Sequence, residues 1–511
     1  MSQICAICKK AAVQSCSACN STYYCSKEHQ KLHWKTHKSS CAPFKIKSDE
    51  FGKSLVAIRD IKQGEKILTK LPILIGPKSE KEIICFNCFK KIEETSNVKC
   101  ILCGLKLCGK LCQNKEGHLK ICDILQASKI TVESCPNIYQ YSIALNILII
   151  KTTDFKKYDV IMSNYSYQEP KDNFKNIISD LLILCEKLAL PTTEEELRKL
   201  FVISKRNFID ISHNKSDNIK GLYPVIPFLN QSCVPNTKQV FYEDANQLSV
   251  LATVPIKKGD ILTANFSDIL WGTLERQIFL KTKKFINCSC TRCADPTEMK
   301  TYAGSIYCQK CKDNLLEDDS PKVMSTNPLD IDADWACEIC NHKIQAKQIV
   351  FGNKSLNREI NDKNMVHPKS LEHFLFKYGE ILHPTNSFSL KIKFKLIQIY
   401  GNSEEFKLSE MPEALLERKV QLCHDLLEVA DYIDPGYSRF RGILLYELQS
   451  TMVMQAKKLY CKDLITKSDA EDKLRKSLDI LHESCKILLA EPDFKDILQE
   501  KLESLNNMIE I

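Results

Sequence analysis

No stretch of this 511-residue chain is apolar for long. Its longest apolar runs, such as Ile147 to Ile150, stop far short of the ~20 residues that a bilayer-spanning helix needs. The start, Met1-Ser2-Gln3-Ile4-Cys5, has no basic segment leading into an apolar one, so secretion is not expected. Low-complexity tracts are also missing: nothing is Gly/Ser-rich, collagen-like or mucin-like. With 44% hydrophobic and 27% charged residues, wholesale disorder is excluded. The length suggests roughly three or four domains. The chain is read as intracellular, and no compact basic cluster decides between cytoplasm and nucleus.

Cysteine is what the sequence has in quantity, 26 residues. Without export these are thiols rather than a disulfide framework. They are not scattered. Most stand in C-x2-C pairs with histidine nearby, the spacing of structural zinc. The first group is Cys5, Cys8, Cys16, Cys19, Cys25, His29, His37 and Cys41. Cys25 and His29 are four apart, as are His37 and Cys41, so each pair can face one way from a helical turn. The second group repeats the order about 80 residues on: Cys85, Cys88, Cys100, Cys103, Cys108, Cys112, His118 and Cys122, with Cys112 standing where the first has His29. Buried thiols at chance spacing do not explain a duplicated order. Cys288, Cys290 and Cys293 form a third group that needs a fourth ligand from elsewhere. Cys308, Cys311, Cys337 and Cys340 have the spacing of a zinc ribbon. His33 lies between His29 and His37 at helical spacing; it reads as a bystander, with replacement of His29 as the other choice. Cys135, Cys185, Cys423, Cys461 and Cys485 read as small core residues.

Between these groups the patterning changes. Ser54 to Ile58, the turn Lys62-Gln63-Gly64-Glu65, and Ile67 to Ile75 read as two strands around a turn. Leu248 to Ala252, Lys257-Lys258-Gly259-Asp260 and Ile261 to Phe266 echo it. Residues 124–215 look helical, with periodic runs at Ile177 to Leu190 and Thr193 to Ile203. From about residue 365 the pattern is helical to the end; Leu415 to Ala430 and Lys473 to Leu489 have helix-hairpin length, without a strict 34-residue period. The segment Gly221 to Asn236 holds three prolines around Cys233 and makes poor regular structure: a turn-rich core piece or a ligand site.

Taken together, these residues resemble the SET and MYND domain-containing (Smyd) family, especially its arthropod SmydA-type branch. Tyr24-Cys25-Ser26-Lys27-Glu28-His29-Gln30 with His33-Trp34-Lys35-Thr36-His37 looks like a MYND finger. Gly52-Lys53-Ser54-Leu55, Arg59-Asp60-Ile61 and Gly64-Glu65 look like the opening of a SET domain. Asn230-Gln231-Ser232-Cys233-Val234-Pro235-Asn236 is similar to the signature N-H-S-C-x-P-N, and Pro435 to Gly442 in the tail also matches. The resemblance makes Cys233 the fourth ligand of a post-SET zinc with Cys288, Cys290 and Cys293. The ligands then number 21 Cys and three His, or about six zinc sites.

The fold this implies is α+β and multidomain: a MYND finger (1–43), the N-terminal part of SET (44–80), a second MYND-like finger (81–123), a helical SET insert (124–215), core SET and post-SET zinc (216–296), a zinc-ribbon-like segment (297–348) and an all-α, TPR-like C-terminal lobe (349–511). The activity it implies is S-adenosylmethionine-dependent methylation of protein lysine, histone or not. Gly52, Lys53, Asn207, Asn230 and Gln231 would contact that cofactor. The departures from the family pattern cluster in the pocket. Ser54 replaces the second Gly of G-x-G and Gln231 replaces the signature His. Phe266 and Phe285 occupy the two expected tyrosine positions, leaving no catalytic residue intact, and Ile286 takes the place of the adenine-stacking aromatic. Removing one preorganised polar group at a transition state costs ~10²–10³ in rate. Two readings follow: a methyltransferase with weak or no activity, or an inactive zinc scaffold for partner proteins, with a part in transcriptional regulation. The family also implies proline-rich peptides on the MYND finger and other proteins on the helical lobe.

Metal changes the charge reading. The formal balance is +8, from 72 basic and 64 acidic residues. Six Zn²⁺ and 21 thiolates move it to about −1, so a whole-chain argument for nucleic-acid binding fails. Residues 1–43 keep a mild basic face from six Lys against one Glu.

Overall fold

The computed structural model describes residues 4–16, 22–50, 52–78, 83–92, 98–163, 165, 174–211, 219–311 and 320–510. Among them no helix is long and apolar enough to cross a membrane. The first finger pairs Gln14–Ser15 with Tyr23–Tyr24 and continues into the helix Lys27–Ser40. Ser26 caps that helix, its hydroxyl accepting from the His29 N–H at 3.2 Å. The finger's own core is tiny: Cys5, Cys16, Tyr24 and Cys41.

Small sheets follow, as the alternating apolar residues require. Phe44–Asp49 pairs antiparallel with Gly52–Ala57. Lys66–Lys70 pairs with Gln247–Ala252, which pairs in turn with Thr237–Tyr242. Leu74–Pro77 and Phe208–Asp210 flank Ile219–Leu222. The stretch Ile67 to Ile75 is thus two strands feeding different sheets, because Pro72 between them can donate no ladder hydrogen bond. The two glycine turns that echo each other in sequence meet in space. Ile61 and Ile256 exchange backbone hydrogen bonds of 2.8 and 3.0 Å. Gly64 and Gly259, at φ +78° and +96°, donate to the carbonyls of Ala252 and Ala57. Only glycine takes such φ values without strain.

The helical region contains Ser142–Thr153, Phe155–Ser163, Lys175–Lys187 and Glu194–Arg206. Thr193 caps the last of these, three glutamates fill its first turn, and Lys205 and Arg206 fill its last, each charge opposing the helix dipole. Its core does not part from the second cysteine group. Phe86, Leu105, Leu107, Ile121 and Leu125 belong to the same cluster as Leu145, Leu181, Leu197, Leu200 and Ile203.

Ile306–Tyr307, Lys322–Ser325, Trp335–Cys337 and Lys343–Ile344 form a four-stranded antiparallel ribbon. The tail is helical: Ala346–Ile360, Pro368–Tyr378, Ser387–Ile399, Glu413–Ile433, Arg439–Cys461, Lys467–Leu488 and Lys495–Glu510. A buried ion pair, Lys419 to Glu447 at 2.6 Å, ties two of these helices together. The tail docks on the sheets through Tyr437 N–H to Thr253 O at 2.7 Å and through Lys238 to Glu491 at 3.0 Å. Cys135, Cys185, Cys423 and Cys485 are buried as expected of core residues, whereas Cys461 is exposed. It closes a helix end at the surface, where a thiol has no packing role.

Candidate active site and metal centres

Each cysteine group folds its ligands across the sequence rather than along it. Cys5, Cys8, Cys25 and His29 converge, with Cys8 to Cys25 at 3.4 Å and Cys25 to His29 at 3.2 Å. Cys16 and Cys41 lie 3.9 Å apart; Cys19 falls outside the described residues, and His37 Nδ1 is 3.5 Å from the Thr22 hydroxyl. His33 instead meets the Tyr24 hydroxyl at 3.0 Å. In the second group Cys85, Cys88, Cys108 and Cys112 form one set, and Cys100, Cys103, His118 and Cys122 the other. This is the same interleaving. His118 Nδ1 sits 2.6 Å from the Gln113 carbonyl, which fixes the tautomer and leaves Nε2 free to ligate. The four cysteines of the ribbon converge as well, with contacts of 3.7 and 3.9 Å.

Cys233 meets Cys293 at 3.5 Å and Cys288 at 4.0 Å, with Cys290 completing the set. Four ligands about 2.3 Å from one tetrahedral centre stand roughly 3.7 Å apart, so these separations suit zinc. The contact with Cys288 holds the Cys233 thiol below its ordinary range.

The Cys233 centre forms one wall of a cleft of about 680 Å³, within the range of small-molecule sites. Cys288 and Cys290 border it, with Asn287, Ser289 and Thr291 between and beside them. Facing them are Asn230 and Gln231, whose short strand runs parallel to Thr263–Ala264. Lys53, Ser54, Arg206, Asn207 and Ile286 also line it. The sequence thus brings Lys53, Asn207, Asn230 and Gln231 to one place. Gly52 sits at the adjoining turn with φ +123°, outside the lining. Lys53 Nζ donates to the Ser163 carbonyl at 2.8 Å, at the end of a helix. Asn287, Ser289 and Thr291 escaped sequence reasoning, though their place among metal ligands was the available signal.

Two family patterns fall on these elements. The MYND finger model matches residues 5–41, and the SET domain model matches residues 52–267, ending beside Phe266. The chain carries a MYND finger and a SET domain. The SET match spans the second cysteine group. Relatives include SET domain-containing protein SmydA-8, isoform A, of Drosophila melanogaster, 25% identical over 391 residues, or 70% of this chain and 79% of that one. Histone-lysine N-methyltransferase ASHR1 of Arabidopsis thaliana is 28% identical over 300 residues, covering 53% of this chain and 60% of that protein. Histone-lysine N-methyltransferase SMYD3 of Mus musculus is 24% identical over 263 residues, covering 47% and 59%.

The two phenylalanines, Phe266 inside the SET match and Phe285 beyond its end, part company. Phe266 lines the cleft. Its N–H donates to Gln231 Oε1 at 2.8 Å, while Gln231 Nε2 donates to Asn265 Oδ1 at 3.3 Å. Gln231 thus holds the Phe266 backbone in position. Phe285 takes a left-handed conformation at φ +54°. Its ring packs on Phe174 and Phe201 of the helical insert, at 5.2 and 6.5 Å between centroids, and it is not among the cleft-lining residues. Tyr223 supplies no hydroxyl there either: it is fully buried, and its hydroxyl donates to the Asn246 carbonyl at 2.6 Å.

Proposed function

We propose that this SET domain binds S-adenosylmethionine in the 680 Å³ cleft and transfers its methyl group to protein lysine weakly or not at all. The cofactor supplies an electrophilic methyl on sulfonium. Asn207, Asn230 and the backbone around Lys53 and Gln231 would hold it, with Ile286 against its ring system. The observation that carries the reading is Phe266. It lines the cleft with its backbone N–H held by Gln231, and its side chain has no hydroxyl with which to orient an incoming amine. Positioning and preorganised oxygen atoms supply most of the barrier reduction in such a displacement, so the loss falls on the rate more than on binding. The metal centres support a role that outlasts the chemistry: the first finger, with its separate small core, would dock proline-rich peptides, and the helical lobe other proteins.

The test is calorimetry with S-adenosylmethionine and S-adenosylhomocysteine, followed by transfer of labelled methyl to mixed histone and non-histone substrates. Binding with little transfer is expected. Robust transfer by the unaltered chain removes the argument from Phe266. Absence of binding leaves the scaffold reading alone.

A further inference from the structure

Arg276 and Arg292 are both wholly buried, and between them lies Glu298, 2% exposed. Glu298 Oε2 accepts from Arg276 at 2.9 Å and from Arg292 at 3.1 Å, and its Oε1 accepts from the Thr273 N–H at 2.7 Å. Two arginines against one carboxylate leave an unmatched positive charge, and the balance lies next door. Arg276 Nη2 is 3.7 Å from Cys293 Sγ, in a four-thiolate set that carries two net negative charges with zinc bound. Arg292 adjoins that same ligand in sequence.

The network's other hands reach the opposite way. Arg292 donates to the carbonyls of Ile269 at 2.9 Å and Trp271 at 3.0 Å, and Arg276 also donates to the Trp271 carbonyl. This segment begins at Phe266 on the cleft wall and buries Leu270 in the core of the helical lobe. Glu298 itself opens a left-handed stretch: Glu298, Met299 and Lys300 have φ of +50°, +61° and +63°. Such a run in residues other than glycine persists only where its surroundings over-determine it.

We propose that Arg276, Glu298 and Arg292 are positioning residues that clamp the cleft wall, Phe266 to Trp271, to the post-SET metal centre, so that the state of that metal is read in the cleft. Only the ligand-binding readout below rests on the cofactor reading. Arg292→Lys keeps the charge but cannot fork to two carbonyls. In the full zinc-loaded chain, hydrogen exchange is expected to quicken across residues 267–273 while residues 44–57 and 439–461 keep their protection. S-adenosylhomocysteine affinity should fall about tenfold at an unchanged zinc count, the scale typical of groups that orient metal ligands. Glu298→Gln should release zinc from this centre at least about tenfold faster to a chromogenic chelator. Unchanged exchange at 267–273 in Arg292→Lys overturns the proposal, as does loss of protection spread over the whole chain. If Glu298→Gln does not fold, the Arg292→Lys exchange pattern decides. If the unaltered chain binds no S-adenosylhomocysteine, the cofactor reading falls and the exchange result still judges the clamp.

Discussion

Gly436→Ala tests how the helical lobe is held on the SET core. Gly436 has φ +77°, and a Cβ there would stand 2.1 Å from the Thr253 carbonyl oxygen. That oxygen is shared: it accepts from the Tyr437 N–H at 2.7 Å and from Gln63 Nε2 at 3.0 Å. The left-handed backbone alone costs an alanine about 1–2 kcal/mol. Because the obstacle is backbone, the connecting segment must move, and two hydrogen bonds of about 1 kcal/mol each go with it. The total is about 3–4 kcal/mol. Gly259→Ala supplies the control, since Gly259 has φ +96° and open space around its Cβ position; it should cost only the backbone share. The assay is native-state hydrogen exchange of the helix Arg439–Cys461, whose slowest amides report the opening free energy of the lobe. If Gly436→Ala lowers that free energy no more than Gly259→Ala does, the contact with Thr253 does not hold the lobe and the reasoning fails.

Other outcomes can be checked directly. Phe266→Tyr should raise methyl transfer by ~10²-fold if the hydroxyl is the missing part; calorimetry should show S-adenosylhomocysteine affinity within about twofold, as the cleft has room for one added oxygen. Asp434 is buried, and loss of hydration raises its carboxyl to about 7 despite the Ser438 hydroxyl and the Lys238 and Arg292 charges. The folded chain therefore holds a proton that the unfolded chain has released. This contribution to stability is whole below the ordinary carboxylate range and is lost as pH rises through about 7. Urea titrations should show stability falling by about 1 kcal/mol per pH unit between roughly pH 4 and 7 and levelling off above that, and Asp434→Asn should flatten that slope. Metal analysis should return about six zinc per chain, whereas a count near three would break the ligand assignment.

The cysteine grammar was legible because ligation fixes spacing: a pair with two residues between its members, answered by another pair some twenty residues on, has little reason to arise without a metal to hold. Strands around Gly64 and Gly259 were legible for a related reason, since their turns need glycine. Partners were not. Nothing in Ile67 to Ile75 says which sheet each half joins until Pro72 is seen to divide them. Phe285 shows the limit for a site residue. Its place one step before Ile286 suggested the pocket, yet a left-handed backbone turns its ring to Phe174 and Phe201. The Arg276, Glu298 and Arg292 network is silent in sequence because the three side chains come from separate elements and look like ordinary surface charge. The helix Arg439–Cys461 hides its face for a different reason: it packs on neighbours to both sides, so its apolar residues spread around it instead of forming one stripe.

The two ligand sets of the second cysteine group differ in their access to water. Cys88 and Cys108 are exposed, whereas Cys100, Cys103, His118 and Cys122 are all buried in the core that also carries the helix leading to Arg206 and Asn207. Two ions a few residues apart in sequence would then have very different residence times. The outer one can exchange with its surroundings while the fold stands. The inner one can leave only when the insert opens, and its off-rate becomes a clock for that opening.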